Sequence, residues 1–416
     1  MRNFFYGWFV LAAAFILFAV VTIGVNGLPL LNVSLKEIFG WTHEQVTRGP
    51  SILYFVVAIV SPFAGALVDR FGPRLMMAIG SALTVIGLLL YPLITQPWHL
   101  VGIYILCAGS ITLGGAIAGV TLLSYWFNKY RGVAVGIYLV GSSFGGIALP
   151  QFIAFLTALQ GWQQTAVILA ATAALLTIVP LLIICNHPSE KNTFPDGQPP
   201  NLVSEEAVQA AAAHQLSLAD ALTTPMFYLV LYVTAAVFFC ITGVVQNFAL
   251  FMRDMGLNDA QTANALSLFF TCSIAGKLVF GVLSDKFSKK SILLAAVINM
   301  TIGSVLMRLI PNNSQLFLPL FAIIYGLGYS GAFTMVQLTV AEYYAGRHFG
   351  KILGVVTTVD TLAGSAGIYL LGSLRTLQGN YLTGILLLIC ISFSAVICAL
   401  LLQKPSIRVT ATQLQP

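Results

Sequence analysis

The sequence predicts an all-α integral membrane protein, with twelve transmembrane helices in two six-helix, pseudo-symmetric bundles. Three observations predict it. Of 416 residues, 58% are hydrophobic and 8% charged, whereas soluble domains carry roughly a quarter charged residues. Twelve apolar runs approach the length of about 20 residues that a bilayer span needs. The chain also repeats itself: Gly65–Arg74, GALVDRFGPR, returns 216 residues later as Gly281–Lys290, GVLSDKFSKK. A second pair agrees, because the run from Trp126 through Gly136 to Gly146 matches that from Tyr344 through Gly354 to Gly364.

In order, the expected spans are 7–30, 47–68, 75–95, 98–124, 132–157, 163–185, 225–251, 261–284, 291–310, 316–338, 350–372 and 379–402. The first run is too long for a signal-peptide core, so it is read as a retained helix. Asn26, Gly27 and Pro29 predict a bend in it, and Pro150 predicts a kink in the fifth. A polar segment, Asn186 to Thr224, separates the sixth and seventh spans and carries a surface helix starting near Ser204. The expected units are therefore an N-terminal bundle (1–185), a central loop (186–224) and a C-terminal bundle with a short tail (225–416). Thirteen of nineteen lysines and arginines fall in loops on the side of the two termini, which predicts that both termini are cytoplasmic. In a bacterium the membrane would be the inner one.

Several functions are excluded. The net charge of +6 is dispersed over short loops with no aromatic-interleaved patch, so no nucleic-acid partner is expected. Six cysteines have neither metal nor disulfide spacing. No nucleophile–base pair, cofactor motif or phosphate-cradling loop can be assembled from the intramembrane residues, which argues against an enzyme. The glycine-rich runs GSITLGGAIAG and GSSFGGIALP are read as helix-packing surfaces.

Two charges stand in apolar runs, where an ionised side chain costs at least a few kcal/mol. Lys277 shares one helix face with Gly281 and Asp285, at i, i+4 and i+8. It is read as an anion ligand, with a structural ion pair or a snorkelling lysine as alternatives. Asp360 lies roughly 15 Å into its helix. Proton carrier, permanent partner of Lys277 and packing hydrogen bond are the readings open for it. Polar cavity candidates are Tyr325, Tyr329, Asn26 and Asn247, followed by Tyr54, Tyr125, Tyr228, Tyr232, Gln246 and Gln337. Glu342, beside Tyr343, Tyr344 and Arg347, is read as a gate or cap. Arg308 and Arg375 are read as interface anchors.

The loop G-x-x-x-D-R-x-G-x-R, its degenerate copy and the 6+6 repeat resemble the major facilitator superfamily over nearly the whole chain. That resemblance implies rocking of two halves about a central site, with Gly65, Asp69, Arg70, Gly72, Arg74, Arg131, Gly281, Asp285 and Lys286 in the gate. Within it, FYGWFVL (Phe5–Leu11), WFNKYRGVAVGI (Trp126–Ile137) and Lys277-x-x-x-Gly281-x-x-x-Asp285 resemble the monocarboxylate transporter and oxalate–formate antiporter group. There an arginine at the position of Lys277 binds carboxylate. Lysine loses the bidentate fork, Ser273 stands where the animal carriers have an aspartate, and Val356 where the antiporter has a second cation. The resemblance implies a monomeric carrier in the lipid bilayer for a small organic anion such as lactate or pyruvate, moved with a proton. The competing readings are a carrier for a larger carboxylate-bearing or hydrophobic compound, such as a siderophore, and a non-transporting sensor on the same fold.

Overall fold

The structure is a computed structural model that describes residues 5–41, 43–198, 218–257, 259–344 and 348–403, without the side chains of some helical residues, among them 144–148. The surface helix expected near Ser204 and the side chain of Arg347 lie outside the described residues. The N-terminal half contains α1 (Gly7–Val21), α2 (Ile23–Asn26), α3 (Leu28–Phe39), α4 (His43–Phe71), α5 (Pro73–Leu90), α6 (Pro97–Gly114), α7 (Ala116–Trp126) and α8 (Arg131–Ile183). After the central loop come α9 (Leu218–Thr223), α10 (Pro225–Asp254), α11 (Asp259–Lys286), α12 (Lys289–Leu309), α13 (Ser314–Tyr344), α14 (Phe349–Gln378) and α15 (Leu382–Leu401).

Proline starts α5, α6 and α10, where a missing N–H leaves nothing unsatisfied. Eleven helices among the described residues are long and apolar enough to cross a membrane. The remaining expected span is the part of α8 before Gly161, whose φ of 79° breaks that long helix in two. Glycine adopts such a dihedral without strain. The backbone stays helical through Pro150, so the expected kink there is corrected to the sharper break at Gly161. The first span is divided at Thr22 and again at Gly27, beside Asn26, and it runs on to Phe39 and not to residue 30. The fourth span is interrupted at Gly115, whose carbonyl accepts a 2.9 Å hydrogen bond from the Tyr138 hydroxyl.

Two apolar cores lie unequally across the molecule. One takes in the termini face of the N-terminal half, from Val10 to Trp126, and the full depth of the C-terminal half, from Phe227 and Leu353 to Ile310 and Tyr381. The other, around Leu31, Leu100 and Trp162, belongs to the opposite end of the N-terminal half alone. Burial of apolar surface therefore joins the halves at the termini face. There α4 packs on α14 and α8 on α11. The second core holds a polar centre. Asn32, 2% exposed, donates to the Tyr104 hydroxyl and accepts from that of Tyr91, both at 2.8 Å. Asn32→Ala orphans both hydroxyls at about 1–3 kcal/mol each, so it should lower the melting temperature of the detergent-solubilised protein. An unchanged melting curve would show that this centre is not stabilising.

Candidate functional site

The site forms where α11 of one half meets α8 of the other. Close approach comes first. A Cβ on Gly136 would stand 2.7 Å from the Lys277 carbonyl oxygen, and one on Gly281 would stand 2.7 Å from that of Gly132. Only glycine admits backbones this near. The contact brings the face of Lys277, Gly281 and Asp285 against the start and middle of α8.

Lys277 is 2% exposed. Its ammonium has three N–H donors, and all three reach the N-terminal half: Leu139 O at 2.9 Å, Ser142 Oγ at 3.1 Å and Ser143 Oγ at 2.6 Å. The Phe333 ring lies below it, 5.5 Å from Nζ to centroid. Every partner is neutral. The hydrogen bonds are satisfied, but among the described residues the charge has no counter-ion, an expensive arrangement in a low-dielectric interior. Asn26 joins the cluster by donating to Ser142 O at 3.2 Å.

Other sequence candidates separate. Tyr325 is buried within the C-terminal half and donates to Cys240 O at 2.9 Å. Asn247 donates to Gly243 O and accepts from Tyr381. In this structure the hydrogen bonds of both run within that half. Tyr329 stacks on Phe269 at 5.3 Å and neighbours Ser273 and, across the interface, Tyr54. Tyr54 in turn accepts from Gln246 at 3.3 Å, a cross-half bond nearer the opposite face. Tyr228 and Tyr232 are 55% and 44% exposed on the outer surface of the bundle, and Tyr125 stacks on His187 at 4.5 Å. They leave the cavity list. Ser142, Ser143 and Phe333 are the residues that sequence reasoning missed. The signal was two adjacent hydroxyls inside a glycine-rich run, at the depth of Lys277.

Asp360 is 1% exposed, and neither carboxyl oxygen has a hydrogen-bond partner among the described residues. The Thr234 hydroxyl lies beside it but donates to Leu231 O at 3.1 Å. Asp360 makes no ion pair with Lys277, because the amine spends its donors on α8. The reading as a permanent partner of Lys277 is therefore corrected.

The expected gate residues divide into two groups. Asp69, near the end of α4, accepts from Gly350 N at 2.8 Å and Lys351 N at 2.9 Å, at the start of α14. Asp285, near the end of α11, accepts from Gly132 N at 2.6 Å and Val133 N at 2.8 Å, at the start of α8. Each carboxylate thus caps a helix of the other half, where free N–H groups and the helix dipole both favour an anion. Gly65 lies against Gly350 as Gly281 lies against Gly132. Arg74 and Arg131 hydrogen-bond within their own half, although the Arg131 charge is also felt by Glu342 and Asp285 across the interface. Arg70 lies over Phe71, Arg74 donates to Leu181 O at 3.0 Å, and Arg131 donates to Phe127 O at 3.1 Å. Gly72 turns the loop at φ 84°, and Lys286 is exposed. Glu342 pairs with Lys289 at 3.1 Å, and Arg375 with Asp254 at 3.0 Å.

A family model described as Major Facilitator Superfamily matches residues 10–368 and 230–414. The uncharacterized MFS-type transporter YcxA of Bacillus subtilis strain 168 is 25% identical over 93% of this chain and 92% of its own length. Monocarboxylate transporter 13 of Bos taurus is 27% identical over 90% of this chain and 84% of its own. Among solved structures, the proton:xylose symporter XylE superposes with a TM-score of 0.75 at 14% identity, covering 94% of each chain. FucP, in its outward conformation, gives 0.70 at 16% identity over 95% of this chain and 99% of its own. The two superpositions establish the fold.

The caps can be tested separately. Losing an N-cap costs roughly 0.5–2 kcal/mol, or about 2- to 30-fold in local opening. Asp69→Ala should raise amide deuterium uptake at Gly350 and Lys351 and leave Gly132 and Val133 unchanged. Asp285→Ala should do the reverse. No rise at either site would contradict the capping role.

Proposed function

Because this chain belongs to the Major Facilitator Superfamily, whose members are multi-pass membrane carriers and not enzymes, we propose that it moves a small organic anion by alternating access. The passenger is a monocarboxylate such as lactate or pyruvate, and a proton moves with it. One observation carries this reading: a buried ammonium at the junction of the halves, held by neutral oxygens alone. A carboxylate entering there supplies the missing counter-charge, and charge-assisted hydrogen bonds are about twice as strong as neutral ones. The likeness to monocarboxylate transporter 13 supports the same passenger class.

In the cycle, Lys277 holds the carboxylate, with Ser142, Ser143 and Asn26 beside it. Asp360, buried without a hydrogen-bond partner, takes up the proton, since a carboxyl so placed is cheaper neutral than ionised. The Asp69 and Asp285 caps hold the termini face shut while the opposite face receives substrate. When the halves rock, both caps release. The termini face is cytoplasmic in this reading, the membrane is a bacterial inner membrane, and a single chain suffices. A second reading has an observation in its favour: the Phe333 ring lies 5.5 Å from the amine, an apolar surface that suits a larger acid with an apolar body. Counterflow uptake of formate, acetate, lactate, pyruvate and longer acids into proteoliposomes decides between them by size.

Lys277→Ala should abolish saturable lactate uptake, a loss of about 10- to 100-fold or more for a charge-assisted contact, and Lys277→Arg should keep part of it. Wild-type rates in the alanine variant would remove the ligand role. An inward acid gradient should accelerate wild-type uptake, since acid loads Asp360. Asp360→Asn should exchange anion but ignore the gradient, and a retained response would mean the proton travels elsewhere.

A further inference from the structure

Lys277 and Asp360 belong to the same half and lie at the same level, each about 14–17 Å from the termini-face end of its helix. Opposite charges in a low-dielectric interior attract strongly, and a direct pair would relieve both. Yet the amine turns to the other half and the acid has no hydrogen-bond partner. Something keeps them apart.

Two phenylalanines stand in the right place. Phe333 on α13 touches the amine, with Nζ 5.5 Å from its centroid. It packs against Phe238 on α10, with centroids 5.6 Å apart and planes at 47°. Phe238 shares its helix face with Thr234 and Thr242, at i−4 and i+4. Thr234 is the neighbour of Asp360. Thr242 donates to Gly364 O at 2.8 Å, one turn beyond Asp360 on α14. Two apolar rings, Phe333 and Phe238, therefore run from the amine to the helix face that carries Thr234, the neighbour of Asp360.

We propose that the Phe238–Phe333 pair is an insulating wall that keeps the acid from neutralising the amine. Phe238 is a positioning residue: it touches neither passenger, but it leaves Lys277 open to an external anion and Asp360 open to a proton. Without the wall the two groups meet, the amine is quenched by its own chain, and the acid stays ionised. The inference rests on the anion–proton reading above, and it adds that the two loads are bound at separated sites within one half.

The test is a rescue measured with labelled lactate in proteoliposomes. Phe238→Ala should weaken lactate binding by about tenfold or more and flatten the dependence of uptake on pH, because Asp360 now pairs with Lys277. Phe238→Leu, which keeps an apolar filler, should stay near wild type. The decisive variant is Phe238→Ala with Asp360→Asn. Removing the acid frees the amine, so lactate affinity should return to the level of Asp360→Asn alone. The same pattern is expected from Phe333→Ala with and without Asp360→Asn. A defect that persists in both double variants means the rings only pack, and it overturns the wall. So does wild-type binding in both single ring-to-alanine variants. Failure of the anion reading looks different: lactate binding would then survive Lys277→Ala.

Discussion

The structure depends on one buried ammonium that is fully hydrogen-bonded and, among the described residues, electrically unpaired. Lys277 satisfies its three N–H groups on Leu139, Ser142 and Ser143, so no donor is wasted. The charge itself remains. Hydrogen bonds to carbonyl and hydroxyl dipoles offset part of the desolvation of an ion, and a carboxylate offsets far more. The amine also belongs to one half while its partners belong to the other. Any anion that takes those partners' place changes the bonding between the halves at the same moment, which is what a substrate must do in a rocking carrier.

Closure of the termini face rests on the same economy of backbone groups. Two carboxylates, related by the internal repeat, each cap the first turn of a helix across the interface. Helix N-termini need acceptors in a membrane, where water is scarce. Supplying those acceptors from the opposite half makes an obligatory requirement of folding into a contact between the halves. The glycines at 65 and 281 let the helices come near enough for the caps to reach. The hydrogen bonds of Arg74 and Arg131 stay within their own half, fastening loop to helix, while the Arg131 charge also reaches Asp285 and Glu342 across the interface.

Much of this was legible in the sequence. Hydropathy alone gave the spans, because a bilayer admits few alternatives, and the repeat revealed the halves and the pairing of Asp69 with Asp285. Lys277 stood out because charge in an apolar run is costly. Pairings between distant segments were harder. That Asn247 turns to Tyr381, or that Tyr325 closes on Cys240, depends on which helix face meets which neighbour, and helices that are apolar all round carry little of that information. Ser142 and Ser143 were hidden for a related reason: hydroxyls in membrane helices commonly bond their own backbone, so their role shows only once Lys277 is placed opposite.

The most direct test of the central claim is solid-state NMR in lipid, with carboxyl-¹³C lactate and ¹⁵N-labelled lysine. The account predicts dipolar coupling from the carboxyl carbon to one lysine nitrogen, lost in Lys277→Ala, at a separation consistent with an N–O contact of about 2.7–2.9 Å. Saturable lactate binding without that coupling, or with it unchanged in the alanine variant, would contradict the account.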